Sequence, residues 1–156
     1  MAKRIFLSIV TPERLTWEGD VDALVVPAYE GQMGILPGHA PLLAQLHPGT
    51  VVIRQEGQDP RLLAVSGGFV EVTSSGVSLF AETAEMAEEI DAERARQSAE
   101  KAKAALKHGR EEKLDSGAIA ALERALARLR AAEAAARRRS PRSSPSNPNP
   151  KGEFNQ

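Results

Sequence analysis

The stretch Phe69-Val70-Glu71-Val72-Thr73-Ser74-Ser75-Gly76-Val77-Ser78-Leu79-Phe80-Ala81 decides the fold class of this 156-residue chain. Val70 and Val72 alternate with Phe69 and Glu71, and Val77 and Leu79 flank Ser78. A period of two is that of a strand with one face on a core. Ser75-Gly76 supplies turn punctuation between the two runs, so they read as neighbouring strands over 69–73 and 77–81. Toward the N-terminus the same grammar predicts strands over 5–10, 14–18, 22–26, 32–36, 42–46, 51–55 and 62–66. Glu30-Gly31, Pro37-Gly38, Pro48-Gly49, Glu56-Gly57 and Gly67-Gly68 separate them. Many short strands without an intervening helix predict an antiparallel β-sandwich or flattened barrel, not a parallel α/β sheet.

Beyond Glu82 the period becomes helical. A first helix is predicted over 91–107, with Glu85, Glu88, Glu89 and Asp91 at its start and Lys101, Lys103 and Lys107 toward its end. This order suits the helix dipole. Asp91 is the natural N-cap and Gly109 the natural stop. After a polar break over 110–115, a second helix is predicted from Ser116 to the Arg137-Arg138-Arg139 run ahead of Pro141. Ala95, Ala99, Ala102 and Leu106 form one narrow stripe, and Ile119, Leu122, Leu126 and Leu129 form the other, with Ala125, Ala132 and Ala136 beside them. Facing stripes joined by a short connection predict an antiparallel hairpin. The first helix offers mostly methyl groups, so the pair is expected to be only marginally stable in water on its own. Such a hairpin can be either a fixed appendage or one that leaves its seat at small cost. The expected organisation is a β-sandwich over 1–84, a helical hairpin over 85–139 and a disordered tail over 140–156, rich in Ser, Pro and Asn.

Composition narrows the function classes. The net charge is −1, and residues 82–140 carry thirteen basic and twelve acidic side chains, the mixture of solvated helix faces. This argues against a nucleic-acid-binding chain; the Arg137, Arg138 and Arg139 cluster is short and has no aromatic platform. There is no cysteine, which excludes disulfides and thiol chemistry. No apolar run approaches the ~20 residues of a membrane helix, and the N-terminal run is too short for a signal-peptide core. The chain is therefore expected in the cytosol or peripheral to a membrane. His39, His47 and His108 lie in unrelated segments, and no cluster has metal-ligand spacing. A Gly-rich phosphate loop and an activated nucleophile are likewise missing, so no catalytic residue is assigned.

The stretch Val26-Pro27-Ala28-Tyr29-Glu30-Gly31-Gln32-Met33-Gly34-Ile35-Leu36-Pro37-Gly38-His39-Ala40-Pro41-Leu42-Leu43 closely resembles the signature of the epsilon subunits of bacterial rotary (F-type) ATP synthases. Ala64-Val65-Ser66-Gly67-Gly68-Phe69-Val70-Glu71-Val72 and Ile90-Asp91-Ala92-Glu93-Arg94-Ala95 are similar to two further blocks, in the same order and spacing. The resemblance implies a non-catalytic subunit of the central stalk, peripheral on the cytoplasmic face of the bacterial membrane. It would couple proton flow to ATP synthesis and restrain ATP hydrolysis through its hairpin. The implied partners are the gamma subunit, the membrane rotor ring and, when the hairpin extends, the catalytic alpha and beta subunits. Gly31, Gln32, Met33, Gly34, His39 and Ala40 would face the rotor ring.

Arg124 and Arg128 lie four residues apart, with only alanines and each other at helical neighbour positions. Spacing alone reads them as solvated, and reads Asp91 and Arg94 as a cap and a local pair. In those family members that bind ATP, an Ile/Leu-Asp-x-x-Arg-Ala start to the first helix works with arginines spaced by four on the second. The resemblance thus implies a regulatory ATP, not a required cofactor, held by Glu85, Ile90, Asp91, Arg94, Ala95, Arg124 and Arg128. Lys101 departs from that pattern, standing where a further arginine is expected. The competing reading is a lectin-like ligand-binding sandwich with a helical oligomerisation tail; the single Trp17 and single Tyr29 leave it little stacking surface.

Overall fold

The computed structural model describes residues 3–108 and 116–139. The expected connection over 110–115, its Gly109 stop and the tail over 140–156 lie outside the described residues. Among the described residues ten strands precede two helices: β1 Ile5–Val10, β2 Leu15–Val21, β3 Ala23–Ala28, β4 Gly31–Ile35, β5 Leu42–Leu46, β6 Gly49–Arg54, β7 Arg61–Val65, β8 Gly68–Val72, β9 Val77–Ala81 and β10 Ala84–Met86, then α1 Ala92–His108 and α2 Ser116–Arg139. Nine strands match the sequence expectation to within a few residues. The short β10 was not expected, since three residues carry no measurable period.

The strands form one sheet in the order β10-β7-β6-β3-β5-β8-β9-β1-β2, with β4 paired to β3. The quoted hairpin is present, with Val70 opposite Leu79 and Val72 opposite Val77. Val70, Val72, Val77 and Leu79 are buried, while Phe69, Glu71 and Phe80 face outward. In β1, Ile5, Leu7 and Ile9 point to the same core, joined by Leu24, Val26, Ile35, Val51, Ile53, Leu63 and Val65 from other strands. One pairing departs from the antiparallel expectation: β1 runs parallel to β9, with Leu7 opposite Val77 and Ile9 opposite Leu79. The long connection between these strands permits that arrangement, which no local signal encodes. Gly68 serves a close approach. It has φ +119°, and a Cβ there would strike the Phe80 carbonyl oxygen across the β8–β9 ladder.

Strand β7 is buried on both faces. Leu63 and Val65 enter the sandwich core, whereas Leu62 and Ala64 join Ala87, Ile90, Ala95, Ala131, Ala132 and Ala135 in a second cluster. A continuous apolar run is the mark of a strand covered on both sides. The cover is α2, which touches β6, β7 and the 3-10 turn Ala87–Glu89 on one side and α1 on the other.

This corrects part of the stripe expected for α2, of which Ala125 and Ala132 are buried. Leu122, Leu126 and Leu129 are only half-buried, and Ile119 and Ala136 are exposed. The fully buried positions are Ala125, Ala127, Ala131, Ala132 and Ala135. The helix has a second face, made of small side chains and turned to the sheet. In α1 the expected stripe stands, with Ala95 and Ala99 buried and Ala102 and Leu106 half-buried. Asp91 caps α1, its Oδ1 accepting the Arg94 backbone N–H at 3.0 Å.

Candidate functional site

Helix geometry turns both Arg124 and Arg128 toward the sheet. At about 100° per residue, Arg128 falls within about 60° of Ala125, Ala131, Ala132 and Ala135. It therefore projects from the middle of the buried face and not from a solvated one. The edge strand β10, opposite Ala64 of β7, carries Glu85 to meet it. Arg128 Nε donates to Glu85 Oε2 at 2.7 Å and Nη2 donates to Glu85 Oε1 at 3.0 Å. The side chains remain 38% and 37% exposed. The hydrogen bond to Glu85 raises the Arg128 pKa above its ordinary value; partial burial opposes the rise, and the coulombic attraction of Glu85 adds to it. The planar fork of arginine and two carboxylate oxygens match at two points, the strongest form of side-chain hydrogen bonding. Among the described residues this is the one ion pair that ties the helices to the sheet.

A cavity of about 250 Å³ opens beside the pair. Its lining is Ala64, Val65, Ser66, Thr83, Glu85, Ser98, Ala121, Arg124, Ala125 and Arg128. The buried Ser66 fixes its floor: Ser66 Oγ accepts the Thr83 backbone N–H at 3.1 Å and the Thr83 hydroxyl at 2.7 Å. Arg124 is exposed at the mouth and makes no ion pair with a described residue. The result is a partly enclosed space with two guanidinium groups, one of them already engaged, and several hydroxyls. Such a lining suits an anion.

The sequence-predicted positions divide. Glu85, Arg124 and Arg128 meet in the cavity. Ile90 and Ala95 are buried in the cluster beneath α1 and α2. Asp91 is exposed and engaged as the cap, and Arg94 is exposed outside the lining, as is Lys101. Ser66, Thr83 and Ser98 were missed. Their only signal was Ser98 standing four residues, one helical turn, beyond Arg94.

The positions expected to face a rotor ring lie near opposite ends of β4. Gly31, Gln32 and Met33 line a groove of about 420 Å³ with Tyr29, Ala44 and Gln45. Gly34 pairs with Val25 inside the ladder. His39 lines a separate cavity of about 130 Å³ with Arg4, Phe6 and the turn at Ser75 and Gly76. Its Nδ1 lies 2.8 Å from the carbonyl oxygen of the exposed Ala40, so Nδ1–H donates there. Among the described residues no cluster of three or more metal-ligating side chains occurs, and no helix is long and apolar enough to cross a membrane.

Comparison with known proteins places both halves together. Residues 4–87 match the family described as ATP synthase, Delta/Epsilon chain, beta-sandwich domain, and residues 88–133 match its long alpha-helix domain. The ATP synthase epsilon chain of Thermobifida fusca is 47% identical over 140 residues, covering 86% of this chain and 96% of the relative. That of Syntrophomonas wolfei is 41% identical over 134 residues, covering 85% and 98%. Among solved structures, a chain of the Euglena gracilis mitochondrial ATP synthase (OSCP/F1/c-ring) superposes with a TM-score of 0.67 at 29% identity, covering 85% of this chain and 81% of that one. A chain of the Tetrahymena thermophila mitochondrial ATP synthase central stalk/c-ring shares the fold, with a TM-score of 0.55 at 16% identity and coverage of 85% and 96%. On the matched domains, their order and the near-complete coverage of its relatives, this chain belongs to the ATP synthase epsilon-chain family.

Proposed function

We propose that this chain is a non-catalytic rotor-stalk subunit of a proton-translocating ATP synthase whose hairpin restrains ATP hydrolysis and responds to ATP. It grips the gamma subunit and faces the membrane ring through its sandwich, peripheral to the cytoplasmic face of a bacterial membrane. Family membership supports the stalk assignment, as does the presence of both solved neighbours in assemblies that contain a c-ring. It also sets aside the lectin-like alternative. The observation that carries the regulatory part is the hairpin's seat: mostly alanines set against Leu62 and Ile90, one half-exposed ion pair, and a hydrogen bond from Arg138 to the Pro60 carbonyl. A contact of that kind separates at small cost, so the hairpin can exchange its own sandwich for gamma and the catalytic alpha and beta subunits.

ATP is the signal and not a substrate. Arg124 and Arg128 supply phosphate contacts from α2, Ser98 lines the same cavity from α1, and Arg94 stands one turn before Ser98 on that helix face. Binding across both helices favours the docked hairpin and so releases inhibition. The test is the ATPase activity of the purified complex with the full chain and with a chain truncated after Lys107. Truncation should raise hydrolysis and leave assembly intact; equal hydrolysis at every nucleotide concentration refutes the restraint.

A further inference from the structure

The last turn of α2 ends on the loop between β6 and β7. Arg138 Nη1 donates to the carbonyl oxygen of Pro60 at 3.0 Å, which fixes where the chain leaves the helix. Beside this contact lies an open groove of about 520 Å³, lined by Asp22, Arg54, Gln55, Glu56, Gln58 and Pro60. Pro60 therefore belongs both to the groove and to the seat of α2. Three contacts hold the loop in shape. Asp22, itself paired with Arg4 at 3.3 Å, accepts the Glu56 backbone N–H. The Gln55 side chain donates to the Asp20 carbonyl at 2.9 Å, and the Gln58 N–H donates to the Gln55 carbonyl at 3.1 Å. Glu56 and Asp59, by contrast, are exposed and make no ion pair with a described residue. The loop is thus a preformed surface with two uncompensated carboxylates.

The sequence that arrives there has the opposite sign. Arg137, Arg138, Arg139 and Arg142 follow one another closely, and the first acid after them is Glu153. Residues 140–156 lie beyond the family's helical match, which ends at residue 133, so the family gives them no role. We propose that residues 140–145 dock in this groove, with Arg142 on the carboxylates of Glu56 and Asp59, and so extend the seat of the hairpin. Arg142 stands three residues past the end of α2, a reach of about 10 Å, enough to enter a groove that α2 already touches. Pro141 cannot continue a helix, and with Pro145 it favours an extended backbone, which lowers the entropy lost on docking. Ser140, Ser143 and Ser144 bring hydroxyls that match the amides of Gln55 and Gln58. Each of these contacts is exposed and weak; tethering at the end of α2 makes them effective by keeping the segment at high local concentration. This groove shares no lining residue with the cavity beside Glu85 and Arg128, so the clasp is independent of any nucleotide. Its consequence is a hairpin that stays docked more firmly than its alanine seam alone allows.

The test is native-state hydrogen exchange on the full chain, against a chain whose residues 140–156 are replaced by a Gly/Ser segment of equal length, which keeps the terminal carboxylate away from α2. The replacement should speed exchange of the α2 amides about threefold, the effect of an exposed ion pair, while β8 and β9 keep their protection. Arg142→Glu should lose the same amount, and so should Glu56→Lys combined with Asp59→Lys. All three together should restore protection, because the charges are then reversed on both sides. Salt at about 1 M should remove the difference between the full chain and the replacement. Equal α2 exchange with and without the native segment overturns the docking. A loss that charge reversal does not restore also overturns it, since Arg142 then acts elsewhere. An effect that grows with protein concentration assigns the groove to the segment of a second copy and likewise refutes the clasp.

Discussion

Replacing Ala131 by Glu should lift the hairpin from the sandwich without unfolding the sandwich itself. Ala131 is fully buried, in the cluster with Leu62 and Ala64 of β7. The seat of α2 in that cluster consists of three buried alanines, Ala131, Ala132 and Ala135, each contributing one methyl group. At ~0.8 kcal/mol per buried carbon, these sum to about 2–3 kcal/mol, and uncovering Leu62 beneath them adds about 2 kcal/mol. The half-exposed Glu85–Arg128 pair adds about 1 kcal/mol. A carboxylate forced into that seat costs at least several kcal/mol and has no partner there. The cost is of the same size as what holds the helix down, so the docked state loses most of its advantage. The control is Ala136→Glu, on the same helix but exposed. Native-state hydrogen exchange reads both: Ala131→Glu should remove protection from α2 and deprotect Leu62 and Ala64 only where α2 covers them, while β8 and β9 keep theirs. Ala136→Glu should match wild type. If Ala136→Glu undocks the hairpin and Ala131→Glu does not, the buried face of α2 has been assigned to the wrong side. If Ala131→Glu deprotects β8 and β9 as well, the sandwich depends on the hairpin and the independence of the two clusters is refuted.

Three further perturbations follow from individual contacts. Arg128→Ala removes the ion pair linking hairpin to sheet and should weaken docking by about 1 kcal/mol, seen as a roughly fivefold rise in α2 amide exchange; unchanged exchange would show the pair to be energetically idle. Gly68→Ala puts a Cβ into the Phe80 carbonyl at a φ of +119°, and should destabilise the sandwich by about 3 kcal/mol in a denaturant titration; a loss under 1 kcal/mol would mean that the β8–β9 ladder relaxes freely. Asp91→Ala removes the cap on α1 and should cost about 1 kcal/mol of helix stability, with fraying of the first turn in amide exchange, while Asp91→Asn should restore most of it.

The sandwich was legible because its strands obey a two-residue period against dense turn punctuation. Val70, Val72, Val77 and Leu79 could face only one way. The parallel pairing of β1 with β9 was not legible, since alternation orients a side chain but does not choose a neighbour. The second face of α2 was lost for a different reason. Alanine fills the whole helix, so it sets no period, and the leucines drew the stripe toward α1. The arginines held the missing clue. Arg128 has Ala125, Ala131 and Ala132 at helical neighbour positions, which reads as an absence of partners when the helix is imagined in water. It is equally the surrounding of a side chain on a buried face, whose partner comes from another element. Glu85 is that partner, 43 residues away in the chain.

The division into two clusters is what the proposed release of the hairpin requires: a sandwich with its own core and a hairpin seated on a separate patch. Leu7, Leu24, Ile53, Leu63 and Leu79 enter the sandwich core, where loss of any one side chain costs about 2–5 kcal/mol and the sheet opens only as a unit. The outer faces of β6 and β7 present Val52, Leu62 and Ala64 to the hairpin, a small patch met mostly by alanines together with Ile90 and Leu129. Uncovering it exposes few apolar atoms, and the hairpin's departure leaves the inward faces of β6 and β7 undisturbed. The carboxylate that helps to hold the hairpin stands on β10, at the seam between the two clusters. The Glu85–Arg128 pair, the Arg138–Pro60 hydrogen bond and the second cluster are what the hairpin would give up in the proposed release, and the hydrophobic core on which the fold depends would stay intact.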